Sequence, residues 1–146
     1  MLFMSKKMIN CFKKLYLYKM SFRYPKSAKL KSKTSINLLF SAGKSVSKYP
    51  LRLIYVPMNS NDNEKIKFGV SVSKKNFKLA VDRNYFKRVL RETYRLNKSI
   101  LIDNLDQQYA MMFFYQTKDR LSYQEINTKT IQLFEKFIKQ IKPNDL

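Results

Sequence analysis

Arg83, Asn84, Lys87, Arg88, Arg91 and Arg95 recur at steps of one, three and four residues in a run from Asp82 to Leu96 that contains no Gly or Pro. At about 100° per residue these side chains fall within an arc of roughly 140° on one side of a helix. Tyr85, Phe86, Val89, Leu90, Thr93 and Leu96 fall on the other side. Like charges at i,i+4 repel by a few tenths of a kcal/mol per pair, and only Glu92, at the edge, relieves this face. A charged helical face is most often simply solvated. A face of nearly one sign instead points to a polyanion. Guanidinium groups bind phosphate through paired N–H donors. Asn84 both donates and accepts, which suits a 2′-hydroxyl or a base edge. Lys74, Lys75 and Lys78 extend the positive field along the segment that enters the helix, and Asp82 is placed to cap its first turn.

Composition supports the same chemistry. The chain of 146 residues carries 30 Lys+Arg against 10 Asp+Glu, a formal charge of +20, and no acidic residue precedes Asp62. Such an excess opposes compaction by self-repulsion and attracts nucleic acid or an anionic membrane. There is no His, and Cys11 is the one cysteine. Neither an internal disulfide nor a zinc site of the usual kind can be built from that set, and a lone cysteine suits a reducing cytoplasm. Asp62 and Glu64 fall in a polar turn, so no carboxylate pair is offered for acid–base work or for a metal. Met111–Tyr115 is an apolar run of strand length, far short of a membrane span. The two glycines cannot supply a Gly-rich phosphate loop.

The elements that must position these residues can be read in order. Residues 1–20 read as a basic and apolar extension: an amphipathic surface anchor, an RNA-binding arm, a disordered segment, or codons upstream of a start at Met20. Residues 20–28 read as an extended arm, because Pro25 steers its predecessor away from helix. A helix runs from about Ser32 through Ile36, Leu39 and Phe40 and stops at Gly43, which suits a left-handed cap. Strands are expected at Lys44–Ser47, Leu51–Val56 and Ile66–Ser73, with Asn59–Asn63 as the turn between the last two. In the second strand Leu51, Leu53 and Tyr55 point one way and Arg52, Ile54 and Val56 the other. After the basic helix, Asn97–Gln108 reads as a polar connection with some helical character and Tyr109–Tyr115 as a buried strand. Ser122 and Glu125 form a capping box that opens a terminal helix. The order α-β-β-β-α-β-α makes one α+β sandwich over residues 21–142, with helices against a single sheet and a short tail at residues 143–146.

Gly69-Val70-Ser71-Val72-Ser73-Lys74-Lys75, followed by Ala80-Val81-Asp82-Arg83-Asn84-Tyr85-Phe86-Lys87-Arg88-Val89-Leu90-Arg91-Glu92, resembles the signature of the bacterial ribonuclease P protein subunit. The resemblance spans about Tyr24 to Lys142. It implies the small subunit of a ribonucleoprotein endonuclease that removes the 5′ leader of precursor tRNA, with the cleavage performed by an RNA subunit and its bound Mg²⁺. It implies a ribosomal protein S5 domain 2-like fold with a left-handed β-α-β crossover, where the general rule is right-handed. The motif helix and its entering loop would bind the RNA subunit. A cleft between the sheet and the first helix, with Ile36, Phe40, Arg52 and Ile54, would take the single-stranded leader. Three positions depart from the family pattern. Tyr85 stands where Arg is usual, and Ile36 and Ile54 stand where aromatics are usual, which shifts the grip on the leader towards charge and shape.

A small ribosomal protein would share the size and charge but not the Ala80–Glu92 pattern. A membrane-surface protein would depend on residues 1–19 and lose binding to anionic vesicles without them. On the family reading, a chain started at Met20 is expected to reconstitute leader cleavage with the cognate RNA as well as the full chain does; a large loss of activity on truncation would make the extension functional.

Overall fold

The alternation seen along the strands is what folds the sheet in the computed structural model, which describes residues 24–59 and 63–142. Residues 1–20, the Ser21–Arg23 part of the expected arm, Asp62 and the tail lie outside these. In β2 (Leu51–Met58) Leu51, Leu53 and Tyr55 are buried and Arg52 and Ile54 half-buried. In β4 (Gln108–Tyr115) Tyr109, Met111, Phe113 and Tyr115 are buried on the same side. With β1 (Lys44–Lys48) and β3 (Ile66–Val72) they make a four-stranded sheet in the order β1-β2-β4-β3. β2 pairs antiparallel with both β1 and β4, and β3 pairs parallel with β4. A parallel pair needs a crossover, and α2 (Ala80–Ile102) supplies it. α1 (Lys33–Ala42) precedes the sheet and α3 (Tyr123–Ile141) closes the chain, so the expected α-β-β-β-α-β-α order holds.

The two faces of the sheet are covered unequally. On one, α2 contributes Phe86, Leu90, Tyr94 and Leu101 and α3 contributes Ile126, Leu133, Phe134 and Phe137 to a core with Leu53, Phe68, Met111 and Phe113. Tyr94 stacks on Phe68 with centroids 3.6 Å apart and planes 6° from parallel. Full burial of such a side chain contributes roughly 1.5–3 kcal/mol, so this layer dominates the fold. On the other face α1 buries Leu39 against Val56 and Ala110, with Ile54 and Met112 half-covered around them. Beyond that patch the second face stays open.

The structure departs from the sequence reading at several points. α2 runs on to Ile102, so the helical character expected of the polar connection becomes a continuation of the helix itself. Its polar residues are turned inwards: the Asn97 amide donates to Thr93 O at 2.8 Å and to Asn127 Oδ1 on α3 at 2.7 Å, and Lys98 is buried. The N-cap of α2 is Leu79, without a side-chain cap, so Asp82 is a first-turn acid and not the capping residue. β2 continues through Pro57 to Met58, because β1 ends opposite Tyr55 and leaves an unpaired edge where a residue lacking N–H is tolerated. The arm is not fully extended: Lys26–Ala28 form a 3₁₀ turn, and Lys29 then bridges to Phe68 on the edge of β3. The capping box of α3 is as expected, with Ser122 Oγ accepting from Glu125 N at 3.2 Å and the Glu125 carboxylate accepting from Ser122 N at 3.0 Å.

Gly43 is needed for a different reason from the one expected. Its φ of −71° and ψ of 144° are extended backbone, open to any residue. A Cβ there would lie 2.1 Å from Leu39 O and 2.8 Å from Ile54 Cγ2. Gly43 lets the end of α1 sit directly on β2. Gly43→Ala is therefore expected to cost about 1–3 kcal/mol through overpacking, read as a lower urea midpoint with an unchanged slope.

Candidate nucleic-acid interface

Phe86, Val89, Leu90, Thr93 and Tyr94 anchor α2 inwards, so the residues between them are directed out. Asn84, Arg88 and Arg91 are exposed and Lys87 half-exposed, and neither Arg88 nor Arg91 has an ion-pair partner among the described residues. Two of the expected phosphate binders are otherwise engaged. The Arg83 guanidinium donates to Phe77 O at 2.9 Å and Lys78 O at 2.8 Å. It clamps the loop that leads into its own helix. Arg95 forms a two-pronged pair with Glu92, Nε to Oε2 at 3.0 Å and Nη2 to Oε1 at 2.6 Å. That bond holds the Glu92 carboxyl below its ordinary pKa, burial opposing slightly.

The entering loop is a built turn. Ser73 accepts twice, through Oγ from Asn76 N at 3.3 Å and through its carbonyl from Phe77 N at 3.1 Å. Phe77 is buried and stacks on Phe86 at 4.6 Å. Lys74, Lys75 and Lys78 therefore stand exposed beside the first turn of α2, as expected. Arg120, which the sequence reading missed, belongs to the same surface. It pairs with Asp82 at 2.9 Å and lies 5.5 Å from the Phe86 ring centroid and 6.0 Å from that of Tyr85.

Towards the far end of α2 the ring of Tyr24 adjoins the arginines. Its hydroxyl donates to the Phe68 carbonyl, and its edge meets Tyr94 at 5.4 Å. Burial pushes that hydroxyl up to about 12, with Arg91 working against the rise.

The second surface is the uncovered part of the sheet beside α1. Phe40 is 59% exposed and its ring meets Phe114 edge-on at 6.3 Å. Arg52 and Ser71 both stand opposite Phe114 in the register, one on each side, so the three form a row across β2, β4 and β3. Arg52 donates to Ser45 Oγ at 3.4 Å and is otherwise half-exposed. Of the cleft candidates, Phe40 and Arg52 are thus brought together. Ile54 packs beneath α1 near Leu39, and Ile36 is half-buried one turn before Phe40. Phe114 was missed, although its alternation with Phe113 and Tyr115 already assigned it to this face. Ser71 lies two residues before Ser73, so the cleft and the lysine turn adjoin at the end of β3.

Among the described residues no group of three or more His, Cys, Asp or Glu is placed to hold a metal ion, and no helix is long and apolar enough to cross a membrane.

Comparison with known proteins gives a consistent picture. Residues 24–138 match the family described as Ribonuclease P. A protein of Porphyromonas gingivalis named "Ribonuclease P protein component" is 40% identical over 103 residues, covering 69% of this chain and 75% of its own length. Its namesake in Dictyoglomus thermophilum is 30% identical over 115 residues, or 79% and 92% of the two chains. The structure of the Staphylococcus aureus RNase P protein superposes with a TM-score of 0.61 at 20% identity, over 77% of this chain and 96% of that one. The Thermotoga maritima RNase P protein gives a TM-score of 0.60 at 21% identity, over 74% and 96%. At such identities the superpositions establish the shared fold.

The division among the arginines is open to test by unfolding. Arg83→Ala removes the clamp on the Phe77 and Lys78 carbonyls and is expected to cost about 1 kcal/mol of stability. Arg88→Ala removes no hydrogen bond or ion pair among the described residues and should leave the urea midpoint unchanged.

Proposed function

The chain belongs to the ribonuclease P protein family, and from that premise we propose that its two basic surfaces divide the work of holding RNA. Membership makes it the protein component of a ribonuclease that matures tRNA 5′ ends, with the ribonuclease P RNA as its partner. On our reading, the outer face of α2 and the Lys74–Lys78 loop bind that RNA, and the cleft beside α1 receives the leader of precursor tRNA. The observation that carries this is the exposure of Arg88 and Arg91, without an ion pair among the described residues, on a rigid helix face next to an exposed lysine turn. Rigid convergent cations release counterions together when phosphates dock. A row of Arg52, Phe114 and Ser71 with Phe40 above it suits a single strand, giving a ring for stacking, a cation for phosphate and a hydroxyl for the ribose.

Bond cleavage falls, in this proposal, to the RNA subunit. The side chains on the interface are phosphate-binding cations, and the chain has no His to serve as a proton carrier near neutrality. Mg²⁺ would be held by RNA oxygens, since the described carboxylates do not form a cluster for it. The protein lowers the repulsion between two polyanions and fixes their orientation. Such an assembly acts where precursor tRNA is made, in the cytoplasm, and needs neither a membrane nor a further protein partner.

Reconstitution with the cognate RNA, assayed for 5′-leader cleavage at low Mg²⁺, tests the reading as a whole. Within it, Arg88→Ala and Arg91→Ala should weaken RNA binding more than Lys139→Ala, a single exposed charge on α3. Each lost phosphate contact should flatten log K against log salt by about 0.7–0.9, with circular dichroism unchanged. Equal damage from Lys139→Ala would mean that net charge alone drives binding.

A further inference from the structure

Between α2, the start of α3 and the N-terminal arm lies a hollow of about 500 Å³ whose walls mix two chemistries. Tyr24, Tyr123 and Val89 supply ring and aliphatic surface, while Arg88 and Arg91 supply charge. Pockets for small ligands span about 300–1,000 Å³ and combine apolar walls with a few placed polar groups. A site for phosphate alone would have no use for two aromatic rings, and one for an apolar group would not be edged by unpaired guanidiniums. A nucleotide has a flat apolar ring and an anionic ester.

We propose that this hollow receives one unstacked nucleotide of the bound RNA, its base against Tyr24 and Tyr123 and its phosphate on Arg88 and Arg91. The inference rests on the RNA-binding reading above and extends it to a site formed by three separate elements. Preparation of the walls supports it. The hydroxyl of Tyr24 is committed to the Phe68 carbonyl and its edge to Tyr94, so only ring surface is offered to a ligand. Tyr123 is the first residue of α3, and the Ser122–Glu125 capping box that encloses it fixes its backbone. Glu92, the one acid in the wall, would repel phosphate, but the two-pronged bond from Arg95 neutralises it. Arg88 and Arg91 are left as the cations in the wall that have no ion pair among the described residues. Lys29, 5.9 Å from the Tyr24 ring centroid, adds positive charge behind that ring.

Stacking and charge leave different signatures, which makes the site testable in the full chain assembled with its cognate RNA subunit. Tyr123→Ala should weaken RNA affinity at least fivefold while leaving the slope of log K against log salt unchanged, since no counterion is released by a ring. Tyr123→Phe should restore the affinity. Tyr24→Leu, compared only if its urea midpoint stays near that of the parent, should behave like Tyr123→Ala. A photo-crosslinking phenylalanine derivative at position 123 should join to one unpaired nucleotide of the RNA. Parental affinity in Tyr123→Ala, or crosslinks scattered over base-paired RNA, overturns the proposal, as does capture of an acidic protein segment with RNA binding intact. Leader cleavage by the parental holoenzyme and the loss expected for Arg88→Ala are measured alongside. If those controls fail, the functional reading is at fault; if they hold and Tyr123→Ala is silent, this site alone is wrong.

Discussion

The interface depends on a cluster of three stacked and tilted rings. Phe86 meets Phe77 and Tyr115 with centroids 4.6 Å and 4.7 Å away, and those two rings, 6.0 Å apart, close the triangle. Phe77 belongs to the lysine loop, Phe86 to the first turns of α2 and Tyr115 to the end of β4, so one packing contact fixes loop, helix and sheet together. Aromatic pairs in such geometry contribute about 0.5–1.5 kcal/mol beyond the area they bury. Their larger consequence is positional. Arg88 and Arg91 leave the helix from a backbone that this cluster and the Phe68–Tyr94 stack hold at two points along its length. Without that rigidity the same charges would lose rotational freedom on binding, and the affinity drawn from them would fall.

The cost of the fold is its charge, and the few acids are placed where it matters. Asp82 holds Arg120 against the Phe86 stack, and Glu92 holds Arg95 beside the Tyr24 hollow. Glu64 accepts from Ser27 and so ties the arm to the segment before β3. Each of these cations or polar groups helps to shape a wall. Arg88 and Arg91 on the helix and Lys74 and Lys75 on the turn are among the exposed cations that have no acid partner among the described residues. Exposed ion pairs contribute little stability, so the pairing is better understood as sorting the cations into scaffold and ligand-binding sets than as strengthening the fold.

That sorting marks the limit of what the sequence makes legible. Periodicity alone separates Arg88 and Arg91 from Phe86 and Leu90, and alternation alone assigns Arg52 and Phe114 to one sheet face, because both follow from local geometry. The capture of Arg83 by the Phe77 and Lys78 carbonyls does not, since it depends on the path the loop takes back over the helix. Arg120 reaches Asp82 across 38 residues of chain, a contact only the tertiary fold creates. The helix end is hard to place in sequence for a related reason. Asn97 and Lys98 look like surface residues, yet Asn97 finds a partner in Asn127 on α3 and Lys98 is buried in the fold. Gly43 looks like a left-handed cap until the neighbour it must admit, β2, is in place.

The unequal covering of the sheet connects fold to function. A four-stranded sheet with one face packed by two helices needs little from its second face for stability, so a short helix seated through Leu39 suffices there. The uncovered remainder carries Phe114, Ser71 and Arg52, a mixture that would be a poor core and is a fair surface for a single strand. The departures from the family pattern fit this division. Ile54 is under α1, where an aliphatic side chain fills space beside Gly43 and cannot also stack a base. Phe40 and Phe114, edge to face at the open end, leave one aromatic position in the cleft. On the proposed reading, leader contacts concentrate at that end of the sheet, next to the lysine turn, where a strand of RNA leaving the cleft would meet the basic face of α2.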